Sequence, residues 1–74
     1  MNKKRRGQLA CVIGKLQDNA SILTAIQEEE QMAFDNLPEG LQTSEKGEKM
    51  EEAVSQLEEA VSQIEDIVQN LEEL

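Results

Sequence analysis

The stretch EEAVSQLEEAVSQIEDIVQNLEEL, residues 51–74, repeats itself every seven residues, as EEAVSQL, EEAVSQI, EDIVQNL and a truncated EEL. With Met50 ahead of it, apolar side chains fall at Met50, Val54, Leu57, Val61, Ile64, Val68 and Leu71. Steps of four and three residues alternate without a break, the a/d heptad pattern of a helix that packs lengthwise on another. Val fills the a positions, and Met, Leu or Ile the d positions. The residue before each a is also apolar (Ala53, Ala60, Ile67), as is Leu74, so the seam is three positions wide in seven. A stripe that broad suits a multi-helix bundle better than a two-stranded zipper. Each e position is Glu (51, 58, 65, 72) and no g position within the repeat is basic, so a parallel homodimer would have no e–g salt bridges.

Upstream, Leu9, Ile13, Leu16, Ala20 and Leu23 repeat the same spacing, with Val12, Ile22 and Ile26 beside them. They mark a first helix over about residues 4–36. Gly7 and Gly14 weaken it by about 1 kcal/mol each relative to Ala and loosen its start. Glu30 interrupts the stripe, which resumes at Ala33, Phe34 and Leu37. Pro38 stops the helix, since it disfavours the α conformation at Leu37 and has no N–H of its own. Residues 37–44 form a corner with one helical turn in PEGLQ, and Ser44 is an N-cap for a second helix over about residues 45–74. Helices of roughly 49 and 46 Å joined by a short corner predict an antiparallel, coiled-coil-like hairpin, all-α, as a single domain over 1–74.

The chain has 74 residues, with Phe34 as its sole aromatic, no His, and Cys11 as its sole cysteine. It can form no internal disulfide and has no His/Cys zinc cluster. A core this poor in large rings is expected to need copies of itself, as a dimer or larger homo-oligomeric bundle. The expected oligomer interface is the seam: Leu9, Ile13, Leu16 and Leu23 with Met50, Val54, Leu57, Val61, Ile64, Val68 and Leu71. Cys11 beside the first stripe reads as a small, buried hydrophobe. The net charge of −9 is unevenly spread. Up to residue 27, Lys3, Lys4, Arg5, Arg6 and Lys15 face only Asp18, a net +4; from residue 28 onward, 15 acids face Lys46 and Lys49, a net −13. In an antiparallel hairpin the basic start lies beside Glu72 and Glu73, which turns two unfavourable helix-dipole terms into one attraction. Lys15 cuts the first apolar run too early for a signal peptide, and no stretch reaches the ~20 apolar residues of a membrane span. The expected setting is cytoplasmic, with a reduced thiol and no membrane partner.

Catalytic constellations are missing: no His, no phosphate-cradling Gly loop, and carboxylates that read as solvated helix surface. The composition argues against an enzyme, a cofactor or a resident metal. The KKRR run at residues 3–6 offers phosphate contacts, but genomic DNA is disfavoured by the −13 on the remainder and by the lack of interleaved aromatics. Paired acids at 51/52, 58/59, 65/66 and 72/73 recur every ~10.5 Å, an acidic ladder able to mimic nucleic acid. The corner concentrates the remaining polar chemistry. Structurally, Phe34 and Leu37 plug the end of the bundle while Asn36 and Ser44 cap helices. Functionally, Phe34, Asn36, Ser44, Lys46 and Lys49, with Arg5 and Arg6 from another copy's tail, are candidates for a composite pocket that holds a nucleobase and its phosphate.

The segment EEEQMAFDNLPEGLQTSEKGEKMEEAVSQLEEAV, residues 28–61, resembles small acidic helical-hairpin proteins encoded by bacteriophages and prophages of Gram-positive bacteria. They share an acidic run, the D-N-L-P-E corner, the S-E-x-G-E-K-M segment and a heptad-rich acidic second helix. The resemblance implies a phage counter-defence inhibitor that sequesters a host immune nucleotide signal or masks a host immune protein. A structural or assembly coiled coil without ligand, and an acidic nucleic-acid mimic, are the alternatives.

Overall fold

The computed structural model describes residues 1–74 as two long helices folded back on each other around a corner. Helix α1 spans Lys3–Asp35, the single-turn α2 spans Glu39–Gln42, and α3 spans Glu45–Glu72. The fold is all-helical, with α1 packed along α3 as an antiparallel hairpin. Helix α1 begins at Lys3 and runs through Gly7 and Gly14. Its end is held by Asn2, whose side-chain oxygen accepts from the Arg5 N–H at 2.9 Å, so one orphan donor of the first turn is satisfied.

The corner is closed by several polar contacts at once. The Asn36 N–H bonds Met32 O at 3.0 Å and the Leu37 N–H bonds Phe34 O at 3.0 Å, which finish α1. Pro38 is extended at ψ 145° and starts α2. The Gln42 amide then reaches back to donate to Phe34 O at 3.2 Å, tying α2 to the end of α1. Ser44 caps α3: its hydroxyl accepts from the Gly47 N–H at 3.4 Å and donates to Leu41 O. Against this cap sits Gly47, buried, with no room for a side chain. A Cβ there would lie 2.7 Å from Leu41 O and closer still to Gln42 O, both backbone atoms that cannot swing aside.

Along the hairpin the seam residues of both helices face each other. Leu9, Ile13, Leu16 and Leu23 of α1 are half-buried, as are Met50, Val54, Leu57, Val61, Ile64 and Leu71 of α3. Only Ala20 and Val68 pass into full burial among side chains. The four–three spacing of α1 does not stop at Glu30. It continues through Gln27, Glu30, Phe34 and Leu37, all half-buried, so two polar side chains occupy seam positions. Residues assigned from sequence to an oligomer interface therefore lie, within one chain, between its own two helices.

The helices are staggered. Helix α1 has 33 residues and α3 has 28, so α1 is the longer by roughly 7.5 Å. Leu71, Glu72 and Leu74 share a hollow with Arg6, Leu9 and Ala10, so most of the basic first turn of α1 projects past the end of α3. The stagger explains why the expected attraction between residues 3–6 and Glu72–Glu73 gives no ion pair. The sole salt bridge is local, Lys49 Nζ to Glu45 Oε1 at 3.3 Å, and Arg6 Nε donates instead to Met1 O at 3.1 Å. Cys11 is exposed, a correction to its expected burial: it falls on the outer surface of α1, four residues after the open site of Gly7.

The glycines give a direct test. Gly7 and Gly14 have open space where a Cβ would stand. Gly7→Ala and Gly14→Ala are expected to stabilise by up to about 1 kcal/mol each. Gly47→Ala is expected to destabilise by about 1–3 kcal/mol through overpacking. Thermal unfolding followed by circular dichroism measures all three; a neutral Gly47→Ala would contradict the close corner.

Candidate functional site

The reversal of chain direction decides what each side of the hairpin carries. In two antiparallel helices, positions that precede seam residues meet on one side, and positions that follow them meet on the other. Both sides are visible as shallow grooves. On the first, Gln17, Ser21 and Thr24 of α1 meet Val61, Ile64 and Glu65 of α3 in a groove of about 370 Å³. Nearer the corner the same side carries Gln31 and Phe34 with Glu51, Val54 and Glu58. The hydroxyls there are engaged by their own helix, with Ser21 Oγ donating to Gln17 O at 3.2 Å and Thr24 Oγ1 to Ala20 O at 3.0 Å. This is the acidic side. Glu51, Glu58, Glu65 and Glu72 run along it, and Glu45, Glu52, Glu59, Asp66 and Glu73 follow on the adjoining outer surface.

The opposite side is apolar. Val12, Asn19, Ile26 and Ala33 precede seam residues in α1, and Ala53, Ala60, Ile67 and Leu74 do so in α3. Several of these carry large exposed apolar surface: Val12 is 48 % exposed, Ile26 45 % and Ile67 48 %, with Ile22 next to them at 58 %. On α3 the acid that reaches this side is Glu45, at its corner end beside Lys46 and Lys49. The side's two columns, from Lys46 to Leu74 and from Lys49 to Asn70, are otherwise Ala, Ile, Leu, Gln and Asn. On α1 it holds Glu29, with Glu30 at the seam edge.

The corner residues singled out from the sequence do not converge within one chain. Lys46 and Lys49 line a hollow on the apolar side with Glu30, Glu45, Met50 and Ala53, where two acids offset two bases. Phe34 lines the other side of the hairpin. The Ser44 hydroxyl is committed to capping and to Leu41 O. Asn36 is the C-cap of α1, and its side chain is exposed. Arg5 and Arg6 stand at the far end of the 58 Å molecule. One hairpin therefore has no electropositive pocket around the ring.

No group of three His, Cys, Asp or Glu side chains comes together as metal ligands. No helix is long and apolar enough to cross a membrane. No family model, curated protein or solved structure matches this chain.

Sequence reasoning missed Gly47, Gln42 and the polar seam pair Gln27 and Glu30. A glycine inside a first helical turn is a poor helix former, and that misfit was the available signal for a close backbone approach. The polar pair was signalled by the unbroken four–three count from Ala20 to Leu37.

The acidic side predicts a response to salt. Like charges spaced ~10.5 Å apart along α3 lie within the ~30 Å Debye length at about 0.01 M salt and beyond it at about 0.5 M. With one exposed ion pair to lose and a ladder of repulsions to screen, the melting temperature should rise by several degrees over that range. A fall on scanning calorimetry would mean that attractive pairs dominate.

Proposed function

We propose that this chain is a non-enzymatic binding protein that self-associates through its apolar side and masks a basic partner with its acidic side. The observation that carries the reading is the partition of charge: apart from Glu45, which is paired with Lys49 at the corner, the acids of α3 lie away from the side where its aliphatic flank is open. A chain of net charge −9 brings copies together most easily where the acids are not, and leaves them outward for a basic surface. Such a partner is recognised by long-range attraction, which sets encounter rate and salt dependence more than final affinity. The phage-type resemblance of residues 28–61 supports a host immune protein as the target and counter-defence as the role. Sequestration of a small nucleotide signal is the second mode. It is favoured by the placement of Arg5 and Lys46, which head the two apolar-side columns at opposite ends and so approach each other between copies packed end to end.

The masking mode is tested by replacing Glu51, Glu58, Glu65 and Glu72 with Gln. These side chains are exposed, so the helix should survive the change. Immobilised native protein should retain a basic host protein that elutes steeply with salt, and the four-Gln variant should retain it at least about tenfold less well. Equal retention by both would remove the acidic side from the function. For the nucleotide mode, the Lys46→Ala/Lys49→Ala pair should abolish the heat of binding in calorimetric titration with adenine nucleotides, and unchanged heat would exclude the corner.

A further inference from the structure

The apolar side carries a charge pattern that is complementary to itself. Ile22 is the most exposed of its aliphatic side chains on α1, at 58 %. Lys15 stands seven residues before it and Glu29 seven residues after it, which places all three on one line of the helix surface, two turns apart. When a second copy is turned end for end about a two-fold axis at Ile22, each residue 22−n faces 22+n. Lys15 of each copy then meets Glu29 of the other, and Ile22 meets its own equivalent at the centre. Val12 comes opposite the Met32–Ala33 region, where Met32 is 63 % exposed. An interface that uses the same patch on both partners in this way is isologous and closes at two.

We infer that the protein is an antiparallel two-fold dimer of hairpins, packed through the side that bears Ile22, Ile26 and Ile67, with the two Lys15–Glu29 pairs fixing its orientation. The inference rests on the self-association half of the reading above and adds its geometry. Burial of this surface is what the hairpin itself lacks, because Ala20 and Val68 are its only fully buried apolar side chains. The parallel alternative sets Lys15 on Lys15 and Glu29 on Glu29, which like-charge repulsion opposes. The acids on or beside this side are Glu29 and Glu30 of α1 and Glu45 at the corner end of α3, which Lys49 pairs, and the acid ladder from Glu51 to Glu72 stays outside.

Sedimentation velocity on the full chain at micromolar concentration tests this, with circular dichroism to confirm helix content. The native protein should sediment at twice the 8.3 kDa chain mass. Ile22→Glu, an exposed site on a single hairpin, should give a helical monomer. Lys15→Glu and Glu29→Lys should each weaken dimerisation by at least roughly tenfold, and the double exchange should restore it. If the native chain is monomeric, both the self-association and this geometry fall. A dimer or larger species that ignores the charge exchange overturns the geometry alone. Flotation of a native monomer with phosphatidylserine vesicles would show instead that the apolar side faces lipid, and would also overturn the dimer.

Discussion

A short corner forces α1 and α3 to run in opposite directions, and the character of both long sides follows from that reversal. The heptads of the two helices carry apolar residues just before their seam positions. Parallel helices would place that flank of one against the following flank of the other, mixing Ala and Ile with Glu on both sides. Antiparallel helices bring like flanks together. One side becomes richer in aliphatic residues and the other acidic, from a sequence in which neither is contiguous. The distinction between the more apolar side and the acidic side is thus set by chain direction as much as by composition.

The energetics of the seam show how little one hairpin buries. Two helices alone cover each other along a narrow line. Apart from the buried Ala20 and Val68, the seam side chains from Leu9 to Leu23 and from Met50 to Leu71 remain half in water. Half-burial yields only part of the roughly 1.5–3 kcal/mol that full burial of a large aliphatic side chain contributes. Polar Gln27 and Glu30 in the seam weaken it further, yet they sit where a shift of α1 along α3 would bury them against Val or Leu. Their cost is consistent with a role in fixing register, as polar seam residues do elsewhere.

Much of the architecture was legible in the sequence because periodicity and backbone chemistry are local. Pro38, Ser44 and the unbroken count from Met50 to Leu71 placed the two helices and the turn in PEGLQ to within two residues of α1, α2 and α3. What could not be read was relative placement. The stagger that carries the basic first turn past Glu72 depends on how the corner closes, and that depends on contacts between Gln42, Phe34 and Gly47 across the turn. For the same reason Phe34 and the lysines looked like neighbours. They are near in sequence, but helix rotation sends the ring to one side and the ammonium groups to the other. Cys11 shows a smaller version of the same limit, since adjacency to an apolar residue does not fix which side of a helix a thiol occupies.

The tight closure at Gly47 makes the two ends of the hairpin unequal in time as well as in space. Loop closure is cheapest for contacts nearest a turn, so α1 and α3 zip from the corner outward once Gln42 and Ser44 have locked it. The opposite end, where Arg6 and Leu9 lie against Leu71 with no bond across the helices, is the last to form and the first to open. A molecule built this way opens at its free tips before its hinge.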